Sequence, residues 1–267
     1  MNRRHLQTFI LLALALAPAP FAVAQTATTS APPTAKAASA FGDDTPGVGP
    51  IRTEPAFVKL WNDRRAHFRE KKAKQHGGVV FFGDSITQGW GDNFRDLFKD
   101  SGLKLANRGI SGDTTRGLIA RVDEDVLSLE PSAIVLLIGT NDLAKGVSPS
   151  DIAGNMKILL GKIAKHDAKV PVVLCLVMPA SGEKQRRPAE KIREINELYT
   201  ELVKQNPQVT TLDLYTLFAN DQGDAKPEEF PDLLHPNDAG YKKWREALWP
   251  VFVKLGLVDA KADAAKP

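Results

Sequence analysis

The stretch Val79-Val80-Phe81-Phe82-Gly83-Asp84-Ser85-Ile86-Thr87-Gln88-Gly89 decides how the chain is read. Four consecutive apolar residues bounded by Gly78 and Gly83 predict a strand buried on both faces, as in the interior of a parallel sheet. Ser85 then falls just past the carboxyl end of that strand, on the rim where open α/β sheets bind ligands. A serine there is either a helix cap, accepting from an orphan N–H, or a nucleophile. The stretch itself leaves both open. The second needs a base and an oxyanion hole from elsewhere in the chain.

Outward from this stretch the pattern alternates. Phe57, Leu60, Trp61, Arg64 and Phe68 recur near helical spacing and predict an amphipathic helix from Glu54 to Lys74. Downstream we expect a helix around Asn93 to Lys99, a short strand from Leu103 to Ala106, and a helix from Arg116 to Leu127 capped by Thr114 or Thr115. Next come a strand from Ala133 to Ile138, a helix from Ser150 to His166, a strand from Pro171 to Met178 and a helix running to about Gln205. A fifth strand near Val209 to Leu214, a mostly irregular stretch from Thr216 to Pro231 and a last helix from Asn237 to Leu255 complete the domain. Strands alternating with helices in this way imply right-handed crossovers. The expected fold is α/β, a three-layer sandwich with a five-stranded parallel sheet.

The chain has 267 residues, 25% charged and 43% hydrophobic, which suits one globular domain. Arg3 and Arg4, the apolar run Phe9 to Leu16, and Ala22-Val23-Ala24 before Gln25 follow the order of a secretory signal peptide over residues 1–24. That apolar run is too short to span a bilayer and is followed by Pro18 and Pro20, which argues against an integral membrane anchor. Residues 25–50, rich in Ala, Thr, Ser, Pro and Gly, read as a disordered linker. Residues 51–257 form the domain, and 258–267 a disordered tail. The expected product is an exported bacterial protein, periplasmic or secreted. A net charge of +3 gives no field that favours nucleic acid as a partner. Cys175, the only cysteine, sits in an apolar run and is assigned to packing.

The polar signatures fall beyond the carboxyl ends of successive predicted strands: Ser85, Gly112 and Asn141, with Asp232-Leu233-Leu234-His235-Pro236 before the last helix. In a parallel sheet these share one rim. Ester hydrolysis by serine needs a base, a carboxylate to orient it, and donors aimed at the developing oxyanion. His235 is the candidate base and Asp232 the orienting carboxylate. The oxyanion donors would be the backbone N–H groups of Ser85 and Gly112 and the side-chain amide of Asn141. Each residue has a plainer use: Asn141 in an Asx turn, Gly112 as a turn glycine, Asp232 with His235 as metal ligands. For a metal, no third ligand stands at a zinc-like spacing. No cofactor is expected. Asp84, Asp113 and Asp142 are expected to brace their loops.

The blocks Gly83-Asp84-Ser85, Gly112-Asp113, Gly139-Thr140-Asn141-Asp142 and Asp232-Leu233-Leu234-His235-Pro236 resemble, in order and spacing, the four blocks of the SGNH (GDSL-type) hydrolase superfamily, whose fold is flavodoxin-like. The wording from Gly109 to Arg116 and at Gly182-Glu183-Lys184 is most similar to the catalytic subunits of intracellular brain-type (Ib) platelet-activating-factor acetylhydrolase and their bacterial relatives. The resemblance implies Ser85 as nucleophile, Gly112 and Asn141 as oxyanion donors, and Asp232 with His235 completing the triad. Ile86 stands where the family has leucine, a volume-conserving exchange.

The function expected is an exported serine esterase removing acetyl-type groups, acting on a small-molecule or glycan ester. The rim loops Leu143 to Ser150 and Pro179 to Pro188 offer no apolar groove for a long chain. Two alternatives remain: a lysophospholipase or lipase of the same fold, and a non-catalytic carbohydrate-binding domain, which would be expected to lose Ser85 or His235. Arg186 and Arg187, if they overhang the site, would favour an anionic neighbour such as a uronate. Oligomeric state and acyl acceptor are open at this level.

Overall fold

A computed structural model describes residues 44–182 and 186–259. The signal peptide expected over 1–24, the linker up to residue 43 and the tail from 260 lie outside the described residues. In chain order the elements are α1 (Pro55–Gln75), β1 (Val79–Gly83), α2 (Ser85–Gln88), β2 (Leu105–Gly109), α3 (Thr115–Asp125), β3 (Ala133–Leu137) and α4 (Thr140–Ala144). They continue with α5 (Pro149–His166), β4 (Val172–Cys175), α6 (Ala189–Val203), β5 (Val209–Leu212), α7 (Leu214–Phe218) and α8 (Asp238–Lys254). The strands form one sheet in the order β2-β1-β3-β4-β5, with every neighbouring pair parallel.

The run Val79 to Phe82 is buried on both faces because successive side chains point to opposite sides of the sheet. Val80 and Phe82 join Leu118, Val122, Ile152, Met156, Leu159, Ile192, Ile195 and Tyr199, from α3, α5 and α6. Val79 and Phe81 join Trp90, Phe94, Phe98, Leu214, Phe218, Tyr241, Trp244, Leu248 and Phe252 on the other face, that of α7 and α8. Phe81 anchors this second layer, with ring centroids 4.9 Å from Phe94 and 5.7 Å from Trp90. Cys175 is buried within it, as its apolar surroundings predict. No helix among the described residues is long and apolar enough to cross a membrane.

Five local expectations are corrected. The helix expected from Asn93 to Lys99 is a single 3-10 turn at Phe94–Asp96, with Phe94, Arg95 and Asp96 at φ of 51 to 58°. The rings of Phe94 and Phe98 both reach Phe81, and this packing overrides helix propensity. The second strand lies further along than Leu103 to Ala106, because buried Asn107 and Arg108 enter it with partners: Arg108 Nε donates to Asp125 O at 2.8 Å, and Asn107 Nδ2 to Gly91 O at 3.0 Å. The fifth strand stops at Leu212, short of Leu214, because the Asp213 side chain accepts from Thr216 N at 2.9 Å and caps α7, whose last residues enter the stretch read as mostly irregular. Residues 44–50, read as the end of the linker, are irregular yet tethered: Arg116 donates to Thr45 O and Gly49 O, Thr114 Oγ1 to Pro50 O, and Asn155 exchanges two hydrogen bonds with Val48. At the other end, Val258 is buried against the α8 face, so the packed domain extends past 257.

Arg121 ties the rim ends of β1 and β2 together. Fully buried, it donates through Nη2 to Gly83 O at 3.0 Å and Arg108 O at 2.9 Å, and through Nε to Asp113 Oδ2 at 2.8 Å. Its Nη1 reaches Asp125 Oδ2 at 3.4 Å. Burial raises the Asp113 carboxyl above its usual range against the pull of this guanidinium. Arg121→Met keeps the bulk but takes the counter-charge from buried Asp113 and one donor from each of two main-chain carbonyls, so urea unfolding should show a loss of about 3–5 kcal/mol. A loss below about 1 kcal/mol would mean that the network contributes little beyond packing.

Candidate active site

Asp84 takes the cap of α2. Its Oδ1 accepts from Ile86 N at 3.0 Å, so Ser85 opens the helix with its hydroxyl released from capping. That hydroxyl oxygen lies 2.9 Å from His235 Nε2, and His235 Nδ1 lies 2.7 Å from Asp232 Oδ2. The structure therefore joins Ser85, His235 and Asp232 in one hydrogen-bonded chain. Tyr241 Oη donates to Ile86 O at 2.7 Å and holds this short helix from below.

Asp232 and His235 meet through a turn that the apolar pattern did not announce. Leu233 sits at φ +59°, a left-handed conformation that costs a non-glycine residue roughly 1–3 kcal/mol. Leu233 N donates to Phe230 O at 2.8 Å, and Leu233 O accepts from Ser181 N at 2.9 Å, so neighbouring loops hold the turn. Asp232 Oδ1 accepts from His235 N at 2.7 Å and Leu234 N at 3.0 Å. Partial burial opposes the charge on Asp232, but these N–H groups and the His235 ring hold its carboxyl below the usual range.

Gly112 turns at φ +81°, a conformation that favours glycine. Asn141 lies in α4, and its Nδ2 donates to Asp113 O at 3.0 Å and Asp84 Oδ2 at 3.3 Å. One amide thus links the residue before Ser85 to the residue after Gly112. Both of its hydrogens are engaged, and the longer bond, to Asp84, is the one an incoming acceptor would displace most readily.

Three positions add to the expected set. Gln88 Oε1 accepts from Ser111 N at 2.7 Å and fixes the loop that carries Gly112. Arg187 is buried: it donates through Nε to Thr140 O at 3.1 Å, places Nη2 3.5 Å from Asn141 Oδ1 and lines a small cavity beside Asp232. Arg186 is exposed and donates to Ala144 O. The third is Arg52, whose Nη1 lies against Gly112. Basic character marked the loop of Arg187, whereas no pattern in the sequence pointed to Gln88 or Arg52.

Asp84, Asp113 and Asp142 brace the loops beneath these residues, as expected. Asp142 accepts from Thr115 N at 3.0 Å and from Thr115 Oγ1. Burial pushes the Asp84 carboxyl up to about 7, helped by Asp113 and Asp142 and opposed by the Ile86 N–H. Burial likewise pushes Asp142 up to about 7, against the Thr115 donors. A carboxyl raised in the folded state contributes stability that is complete below its unfolded value, near 3.8, and is lost as pH rises through about 7. Asn at 142 has no such proton to lose. Urea unfolding should therefore show Asp142→Asn gaining on the wild type between pH 5 and pH 8, and a stability difference independent of pH would contradict this.

The family model described as the GDSL-like Lipase/Acylhydrolase family matches residues 81–243. Platelet-activating factor acetylhydrolase IB subunit alpha1 from Bos taurus is 26% identical over 226 residues, covering 82% of this chain and 94% of that protein. Among solved structures, a GDSL-like lipase from Bacteroides thetaiotaomicron superposes with a TM-score of 0.61 at 27% identity, covering 74% of this chain and 97% of that one. An acetyl xylan esterase shares the fold with a TM-score of 0.53 at 24% identity, covering 65% of this chain and 98% of that one. The parallel five-stranded sheet agrees with these likenesses. The chain belongs to the GDSL-like lipase/acylhydrolase family, within the SGNH hydrolase superfamily, and is an ester-hydrolysing enzyme.

Proposed function

We propose that Ser85 attacks the ester carbonyl, that His235 is its base and that Asp232 orients and charge-balances the imidazole. The observation that carries this is the unbroken chain from hydroxyl to imidazole to carboxylate, at 2.9 and 2.7 Å. As Ser85 Oγ bonds to the acyl carbon, its proton passes to His235 Nε2, and Asp232, held as an anion, stabilises the imidazolium. The oxyanion accepts from the N–H groups of Ser85 and Gly112 and from Asn141 Nδ2, which gives up its longer bond to Asp84. His235 then protonates the leaving alcohol, and water repeats the sequence to free the acid and the serine.

Ser85→Ala and His235→Ala should each lower kcat by several orders of magnitude, since members of a triad act as one unit. The double variant should be scarcely worse than either single one. Losses that multiply would show that the two side chains serve different steps.

For the substrate, the reading is a short, acetyl-type acyl group carried by a sugar and removed after export to the periplasm or exterior. The rim loops Leu143 to Ser150 and Pro179 to Pro188 offer no long apolar groove for the acyl chain, and the cavity of about 220 Å³ on the Asp232 side, lined by Ala180, Gly182, Arg187, Asp232, Leu233 and Leu234, is a small one. The curated relative is named an acetylhydrolase, which points the same way. A p-nitrophenyl ester series tests the acyl preference: kcat/KM should peak at about two to four carbons and fall beyond, since the rim loops offer no groove for a long chain. A maximum at long chains would overturn it in favour of a lipase or lysophospholipase.

A further inference from the structure

Residues 44–54 form a strap against the rim, and this strap carries a guanidinium to the wall of the proposed oxyanion hole. Hydrogen bonds from Arg116, Asn155 and Thr114 hold the strap, and Lys145 Nζ donates to Glu54 Oε1 at 3.0 Å. Arg52 lies between these anchors. Its guanidinium stacks over the Phe57 ring, 4.4 Å from the centroid, and Nε donates to Glu54 Oε2 at 3.2 Å. Nη1 packs so closely on Gly112 that a methyl group at 112 would collide with it. The side chain remains 26% exposed, and among the described residues no hydrogen bond from Nη1 or Nη2 is formed.

We propose that Arg52 forms an anion subsite beside Gly112 that binds the carboxylate of the acyl acceptor, such as an acetylated uronate. Three features argue for this rather than for a surface arginine held by chance. Ring stacking and the Nε bond fix the plane of the guanidinium before any ligand arrives, so little side-chain freedom is left to lose on binding. The bonded edge is the Nε side, which leaves two terminal nitrogens for bidentate carboxylate recognition. Glu54 is shared with Lys145, so the group Arg52, Glu54 and Lys145 keeps one net positive charge, matched to one carboxylate. The Glu54 carboxyl is held near 2 by backbone hydrogen bonding and by Lys145 and so stays ionised. Arg52 thus presents its terminal nitrogens on the Gly112 side of the site, while buried Arg187 donates to Thr140 O.

This inference rests on the esterase reading above, and the experiment separates the two. Acetate release by the full chain is measured with an O-acetylated methyl glucuronoside and with its uncharged methyl ester. The ratio of the two kcat/KM values should fall about tenfold in Arg52→Ala, the scale of one charge-assisted hydrogen-bonded contact. Arg52→Lys, which keeps the charge and loses the fork, should restore part of the ratio. A ratio unchanged by Arg52→Ala, whether both rates fall together or neither moves, would overturn the subsite and leave Arg52 as a buttress for Gly112. In a second arm, binding of the methyl glucuronoside to Ser85→Ala protein is followed by calorimetry and should weaken when Arg52→Ala is added. That arm needs no turnover, so failure of hydrolysis and failure of anion binding are seen separately; binding that is undetectable or indifferent to Arg52 would overturn the proposal. Thermal melts confirm that each variant is folded, and Arg52→Gln replaces Arg52→Ala if the smaller residue unfolds the strap.

Discussion

The hydrogen bond from Ile86 N to Asp84 Oδ1 is the constraint on which the site depends. The turn out of β1 must satisfy orphan N–H groups as α2 begins, and Asp84 does so in place of Ser85. The serine hydroxyl is left to meet His235. The same carboxyl reaches Asn141 Nδ2 with its second oxygen, so capping the helix and placing the amide are one arrangement. The cost is a carboxyl buried beside two others, and it is met by raised proton affinity and by buried arginines rather than by solvent.

The parts of the fold that were legible are those dictated by apolar content. Val79 to Phe82, Ala133 to Leu137 and Val172 to Cys175 are unbroken apolar runs, and each became a central strand. The convergence of Ser85, Asp232 and His235 was legible because a parallel sheet places the ends of its strands on one rim. What escaped notice depends on partners distant in the chain. Asn107 and Arg108 enter β2 only because Gly91 O and Asp125 O await them. Phe94 and Phe98 abandon a helix for the Phe81 ring. Residues 44–50 have the composition of a linker, yet Arg116 and Asn155 collect their main-chain groups.

The rim is layered. Innermost are Ser85, His235 and Asp232; around them Asn141, Gly112 and Gln88 are fixed by bonds that cross between loops. Arg187 and Arg52 stand behind Asn141 and Gly112 respectively, one buried and one partly exposed. The loops and the amino-terminal strap can therefore vary without disturbing the inner set.

The central claim is that the Ser85 hydroxyl is activated by His235, and covalent labelling tests it without assuming a substrate. Treated with a fluorophosphonate at neutral pH, the protein should gain one phosphonyl group, located by peptide mass spectrometry on Ser85, and His235→Ala should slow this labelling by orders of magnitude. Labelling of another residue, or labelling of Ser85 at the same rate with and without His235, would contradict the account.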